Sequence, residues 1–267
     1  MSERQVETEI EGPIARVWLN RPEKLNAITF ELLDGLVEAA ARIERERSVR
    51  AVVLEGRGSS FCAGLDFGSV LSQKREVAKR FLAHPLRGTN GFQRPLWAWR
   101  ELPVPVIALT RGHVFGGGIQ LALAADFRFT TPDCQWSVME AKWGLVPDMS
   151  GTVPLGELLP ADLAKRLVLT GEVFSGERAA EYGVASGVHE DPSVPADELI
   201  GQILERSPDS VAAGKRLMDR TRHSTPRRAF RLERRFQQAM MRASNTREAR
   251  RAGAAKESPS FGPRTFG

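Results

Sequence analysis

One stretch constrains the fold more than any other. The apolar strand candidate Val104–Leu109 runs through Arg111-Gly112-His113-Val114-Phe115 into three consecutive glycines, Gly116, Gly117 and Gly118, and then into an apolar run, Ile119–Ala125. Glycine has no Cβ, so the backbone can turn sharply there and lie flat against a neighbour. A helix opening at Gly117 leaves its N–H unpaired at the positive end of the helix dipole. That is a place to hold a developing oxyanion. The same triplet also serves as a plain strand-to-helix turn with no ligand.

The rest of the chain supplies a frame for this turn. Val6–Ile10 and Ile14–Asn20 read as two short strands around Gly12-Pro13, and Arg21–Lys24 as a loop. Thr29 is placed to cap a helix from Phe30 to about Arg47, with Leu32, Leu33, Leu36, Val37, Ala40 and Ile43 at helical spacing. Ala51–Leu54 is a short buried strand that enters a small-residue loop, Gly56 to Gly64. Between Gly68 and Glu101 the spacing predicts two helical pieces joined by a loop, because Pro85 and Pro95 interrupt any longer helix. Phe127–Thr130 and Trp136–Val138 are further strand candidates. Strands alternating with helices imply right-handed crossovers and a mainly parallel sheet, hence an α/β fold. After Gly151 the chain turns helical, with periodicity over Leu163–Leu169, Gly176–Tyr182, Ala196–Glu205, Ser210–Thr221 and Pro226–Ser244. Pro192, Pro195 and Pro208 punctuate this part and suggest an α/β core over 1–190 and a helical module over 191–267.

Composition narrows the function. A length of 267 residues with 42% hydrophobic and 27% charged residues fits a soluble globular chain with a full core. No apolar run is long enough for a membrane span, and the charged N-terminus shows no secretory h-region. Two cysteines, Cys62 and Cys134, fit a reducing cytoplasm, and the scattered His84, His113, His189 and His223 give no metal spacing. The net charge of +5 is uneven: Lys215–Lys256 holds 14 Lys/Arg against Asp219, Glu233 and Glu248, a surplus of +11, so the remainder carries −6. Such a segment suits a polyanion, whether cofactor phosphates, RNA or an acidic subunit, or is a solvated helical face.

Two loops pair naturally. Ser60–Asp66 follows the strand Ala51–Leu54, and the glycine triplet follows Val104–Leu109. In a parallel sheet both emerge at the carboxyl ends of strands, where ligands bind in α/β folds. The N–H groups of Leu65 and Gly117 would then converge on one oxygen, an arrangement suited to a thioester enolate.

In these loops and elsewhere the chain resembles the crotonase, or enoyl-CoA hydratase/isomerase, superfamily. The matching pieces are NRPEKLNAIT, SSFCAGLD, GHVFGGGIQLALAADFR, FSGERAAEYGVA and a closing KESPSF, in order over nearly the whole length. The resemblance implies a spiral of repeated ββα turns with a helical C-terminal trimerisation module, assembled as a homotrimer or a dimer of trimers. It implies an acyl-CoA substrate, with coenzyme A arriving as part of that substrate and no separate cofactor or metal. It assigns the oxyanion hole to Leu65 and Gly117, and the CoA-contacting positions to Arg21, Lys24, Ala27, Ala63 and Asp66.

The family's hydratases carry one glutamate two residues after the triplet, where this chain has Gln120, and a second that matches Glu140. A glutamine can position a water but cannot take its proton. Asp148, eight residues after Glu140, resembles the catalytic aspartate of the family's dienoyl-CoA isomerases; alternatively it caps a helix beginning near Ser150. A Glu140–Asp148 pair could move a proton between carbons of a dienolate. Isomerisation therefore ranks first, water addition with Gln120 in place of one glutamate second. An RNA-binding role on the same scaffold ranks last, because Phe230 and Phe236 are the only candidate stacking groups in the basic segment. His113 and Cys62 read as structural residues, and Trp136, Trp143, Phe67 and Met139 as either acyl-pocket or core side chains.

Overall fold

A computed structural model describes residues 4–267. Strands β1 (Val6–Glu11) and β2 (Ile14–Leu19) form an antiparallel hairpin, with Gly12 in the left-handed region at φ +55° where the chain reverses. Beyond β2 the sheet is parallel. It adds β3 (Ala51–Gly56), β4 (Val106–Thr110), β6 (Phe127–Thr130) and β9 (Gly187–Val188), in the order β1-β2-β3-β4-β6-β9. A second sheet, β5-β7-β8, is built from β5 (His113–Phe115), β7 (Gln135–Ser137) and β8 (Phe174–Ser175).

The sheet is covered on both faces, which is why its central strands read as continuous apolar runs. Val52, Leu54 and Ala108 point into the main core with Leu32, Leu33, Leu36 and Ile43 of α1 (Phe30–Arg45). The alternate residues Ala51, Val53, Ile107 and Leu109 pack with Ala196 and Ile200 of α9 (Ser193–Leu204). The expected cap holds: the Thr29 hydroxyl accepts a hydrogen bond from the Leu32 N–H at 3.1 Å.

Departures from the sequence reading have local causes. Residues 68–101 contain three helical pieces, not two: α2 (Phe67–Leu71), α3 (Lys74–Arg80) and α4 (Arg94–Glu101). Pro95 starts α4 instead of interrupting it, since a first-turn proline gives up no helical N–H bond. Strand β4 begins two residues after Val104, beyond Pro105, which has no N–H to give to a ladder. The helix expected over Pro226–Ser244 ends at Arg242 as α11, and α12 (Ser244–Ala255) follows it.

The remaining helices are α5 (Gly117–Ala124), α6 (Thr152–Leu158), α7 (Ala161–Thr170), α8 (Gly176–Tyr182) and α10 (Pro208–Thr221). The C-terminal tail is tied back to the body. Buried Asp209 at the start of α10 accepts hydrogen bonds from the Thr265 N–H, the Thr265 hydroxyl, the Phe266 N–H and the Asn245 amide, at 2.6 to 3.0 Å. Arg264 then donates its backbone N–H to the Arg47 carbonyl beyond α1. Phe236 is buried and edges against Phe266 at 5.2 Å. Only Phe230 of the two candidate stacking rings on α11 is therefore exposed. No helix among the described residues is long and apolar enough to cross a membrane.

Candidate active site

The loop after β3 and the strand before α5 zip together. Cys62 donates its N–H to the His113 carbonyl at 2.9 Å, and Phe115 donates to the Cys62 carbonyl at 3.0 Å. Glycines let the two backbones touch beyond this ladder. A Cβ on Gly64 (φ +92°) would lie 2.9 Å from the Phe115 carbonyl oxygen, and one on Gly116 (φ +52°) 3.9 Å from the Gly64 Cα. Leu65 and Gly117, the next residue in each strand of this contact, are thereby brought side by side.

Leu65 also faces Ile28, which bonds to the residues on either side of it: Ile28 donates to the Gly64 carbonyl at 2.7 Å, and Asp66 donates to the Ile28 carbonyl at 2.9 Å. The Leu65 N–H and the Gly117 N–H, which opens α5, have no acceptor among the described residues. Both residues line a cavity of about 390 Å³, as do Glu140 and Asp148. Two unsatisfied N–H groups at the wall of a cavity can stabilise negative charge on an oxygen placed there.

Glu140 sits on a 3-10 turn, Met139–Trp143, that follows β7. Burial pushes its carboxyl above its ordinary value; the charge of Asp148 adds to the rise, while its own N–H and the Gln120 amide oppose it. Burial likewise raises Asp148, against its own N–H. One Glu140 oxygen, Oε1, accepts from Gln120 Nε2 at 2.6 Å, and the other, Oε2, is buried without a partner among the described residues.

Asp148 does not act as a helix cap. The helix after it starts at Thr152, flanked by Gly151, and has no side-chain cap. The carboxylate lines the cavity instead.

Gln120 is buried in α5 and is not part of the cavity wall. Its Oε1 accepts two N–H groups, from Met149 at 2.9 Å and Gly151 at 3.0 Å. These two donors identify the oxygen end of the amide, so Nε2 must face Glu140. Bridging residues 149 and 151 also holds Ser150 between them in the left-handed region, at φ +73°. A side chain on Gly151 would collide with Gln120, its Cβ only 2.4 Å from the Gln120 Cγ.

The N-terminal loop lies against this apparatus. Arg21 binds the Asp66 carboxylate at 2.8 Å and the Ala27 carbonyl at 3.2 Å, while Lys24 is exposed. Asp66 also caps α2 by accepting from the Ser69 N–H. That bond, ahead of the one from Arg21, holds its carboxyl below the ordinary value, with Lys24 contributing by charge. Ala63 gives its N–H to the Leu25 carbonyl at 2.9 Å and lines the cavity.

Sequence reasoning passed over Asn26. Its amide donates to the Arg57 and Ser60 carbonyls and its oxygen accepts the Arg21 N–H, so it fastens the N-terminal loop to the loop that carries Leu65. A buried asparagine at φ +56°, beside Leu25 at φ +49°, was the available signal only in three dimensions.

Other candidates resolve plainly. Cys62 is buried, and burial pushes its thiol up to about 12, so it packs and does not attack. His113 is engaged by the Ser60 hydroxyl at 2.9 Å and lies off the cavity wall. Trp136 is core, with its N–H on the Thr130 hydroxyl, whereas Trp143, Phe67 and Met139 line the cavity.

Known proteins resemble this chain over most of its length. The model of the enoyl-CoA hydratase/isomerase family matches residues 9–264. The (E)-benzylidenesuccinyl-CoA hydratase of Thauera aromatica is 33% identical over 214 residues, 79% of this chain and 80% of that protein. The carnitinyl-CoA dehydratase of Salmonella enteritidis is 34% identical over 209 residues, 77% of each. Among solved structures, an enoyl-CoA hydratase from Polaromonas sp. JS666 superposes with a TM-score of 0.85 at 28% identity, over 96% of this chain and 99% of that one. The enoyl-CoA hydratase from Mycobacterium tuberculosis H37Rv gives 0.84 at 29%, over 97% and 99%. With a family match that spans almost the whole sequence and whole-chain structural agreement behind it, this chain belongs to the enoyl-CoA hydratase/isomerase family of the crotonase superfamily.

Proposed function

We propose that the protein shifts the double bond of an enoyl-CoA, holding the thioester enolate on the Leu65 and Gly117 N–H groups and moving the proton with Glu140 and Asp148. In the forward step a carboxylate removes a proton from the acyl chain. The electron pair of that C–H bond moves into conjugation, and the thioester oxygen gains charge opposite the two N–H donors. The acid so formed, or its partner, returns a proton to the other end of the dienolate, so the reaction is neutral overall. Two half-buried carboxyls, each raised by burial, with the charge of Asp148 adding to the rise at Glu140, suit this task because a raised carboxyl both takes and returns a proton more readily than an ordinary one.

The carrying observation is that Glu140 and Asp148 both line the cavity while Gln120 does not. Arg21, Lys24, Ala27, Ala63 and Asp66 frame the CoA end of the site in this reading, coenzyme A comes only as part of the substrate, and the helical C-terminus serves a trimer or a dimer of trimers.

Water addition to a 2-enoyl-CoA is the second reading, favoured by the relatives named hydratase and dehydratase. There one carboxylate would activate water and the other would supply the α-proton. Incubation with 2-enoyl-, 3-enoyl- and 3,5-dienoyl-CoA separates the two. Isomerisation interconverts enoyl species without a hydroxyacyl product, and accumulation of 3-hydroxyacyl-CoA moves the assignment to hydration. Glu140→Gln should lower turnover by about a thousandfold in either case. Full activity in that variant removes Glu140 from the mechanism.

A further inference from the structure

We infer that the acyl group this cavity accepts is uncharged and carries an aromatic ring. This rests on the acyl-CoA reading and adds the class of substrate to it.

Among the described residues the cavity wall has two charged side chains, and both, Glu140 and Asp148, are carboxyls; no described lysine, arginine or histidine lines it. A carboxylate on the acyl chain would lose its water there with no cation on the wall and two acids beside it, a combination that disfavours binding. Dicarboxylic acyl groups are therefore excluded.

The rest of the wall is unusually aromatic at its open side. Trp143 is 61% exposed and packs against Phe67, with ring centroids 5.0 Å apart and planes tilted by 46°. Phe81, 53% exposed, adds a third ring and is itself backed by Phe92 at 5.0 Å. Leu145 and Val146 complete the rim, also exposed. Large apolar side chains left in water around a cavity mark a surface that another apolar group covers.

Size and geometry select a ring over a chain. A cavity of about 150 Å³ is enough for a benzene ring, and this one, at about 390 Å³, has room for a thioester head and one ring. A rigid ring meets a tilted aromatic pair edge to face without losing rotamer freedom, whereas a long alkyl chain must be ordered bond by bond.

The test uses saturated thioesters, which bind without reacting. The chain as it stands is titrated with 3-phenylpropanoyl-, butanoyl-, octanoyl- and glutaryl-CoA by calorimetry. The expected result is that 3-phenylpropanoyl-CoA binds about tenfold tighter than butanoyl-CoA, and glutaryl-CoA about tenfold weaker. Trp143→Ala should cut the phenyl advantage to about threefold or less, and Trp143→Phe should restore most of it. Equal binding of phenylpropanoyl- and butanoyl-CoA, or tighter binding of octanoyl-CoA than of 3-phenylpropanoyl-CoA, overturns the inference and leaves the acyl-CoA reading standing. If glutaryl-CoA binds as well as butanoyl-CoA, the exclusion of charged chains falls. A protein that binds none of the four overturns both readings together.

Discussion

Gln120→Glu is the sharpest test of the site, because the structure leaves little room for its outcome. The Gln120 amide spends its oxygen on the Met149 and Gly151 N–H groups and its NH₂ on Glu140 Oε1 at 2.6 Å. A glutamate there keeps the first two bonds but points an oxygen, not an N–H, at Glu140. With the charge centres about 4 Å apart and an effective dielectric of about 20, two ionised carboxylates would repel by about 4 kcal/mol. They relieve part of this by sharing a proton across the short contact. The remainder makes Glu140 harder to ionise, on top of a carboxyl that burial already holds above its ordinary value. The acid limb of kcat/KM should therefore move to higher pH by about two units. The assay is a pH profile of enoyl-CoA turnover for both proteins, with buffers of matched ionic strength. Thermal unfolding at neutral pH should also fall, since the variant forces a charge or a proton into a buried pair. An acid limb that stays within about half a unit of wild type refutes the reasoning: either the Gln120–Glu140 contact is not made in solution, or Glu140 is not the group that titrates.

Three further predictions probe other parts of the argument. Asp148→Asn keeps the shape and removes the charge, so isomerisation should fall by about a hundredfold; with the Asp148 charge gone, Glu140 ionises more easily and the acid limb of the same profile should move to lower pH. Gly64→Ala puts a Cβ on a residue at φ +92°, 2.9 Å from the Phe115 carbonyl; it should cost about 1–3 kcal/mol in unfolding experiments and about a hundredfold in kcat by misaligning the Leu65 N–H. Burial acts to raise Asp209, but its bonds from Phe266, Asn245 and Thr265 outweigh it and hold the carboxyl below its ordinary value. Its contribution is thus full above the ordinary aspartate range and is lost as pH falls through the depressed value. Asp209→Asn should lower stability by about 2–3 kcal/mol at pH 7, with the gap to wild type closing below about pH 4, as followed by denaturant melts.

Much of the fold was legible because its signals are local. Thr29 caps α1 through a residue three positions on, and Leu32, Leu36 and Ile43 sit at helical spacing over the core. The alternating sides of β3 and β4 read as apolar runs since both faces are covered. Strands β5, β8 and β9 were not legible: two or three residues carry no periodicity, and they exist only because a neighbouring strand offers them a ladder. That Leu65 and Gly117 come to one cavity wall was legible in the sequence because close backbone approach decides it, and the glycines beside them announce that approach.

Gln120 could not be read in the same way, and the reason reaches into the chemistry. From its place after the triplet it reads as a residue aimed at the substrate, a water holder standing in for an acid. Its partners lie 20, 29 and 31 residues further along, in a 3-10 turn and an irregular loop that no spacing rule connects to α5. In three dimensions it sits behind the cavity wall and bolts three things together: Glu140, the N–H of Met149, and the N–H of Gly151. Asp148 is the residue immediately before that bolted loop, and Ser150 inside it is held in a left-handed conformation that costs a non-glycine residue energy. The loop would relax if the amide were removed, carrying Asp148 with it. One neutral side chain thus sets the position of both carboxyls, and its neutrality leaves Glu140 with a single acidic neighbour across the cavity instead of a second one at hydrogen-bond distance. That makes the glutamine a determinant of how the two carboxyls sit on the cavity wall.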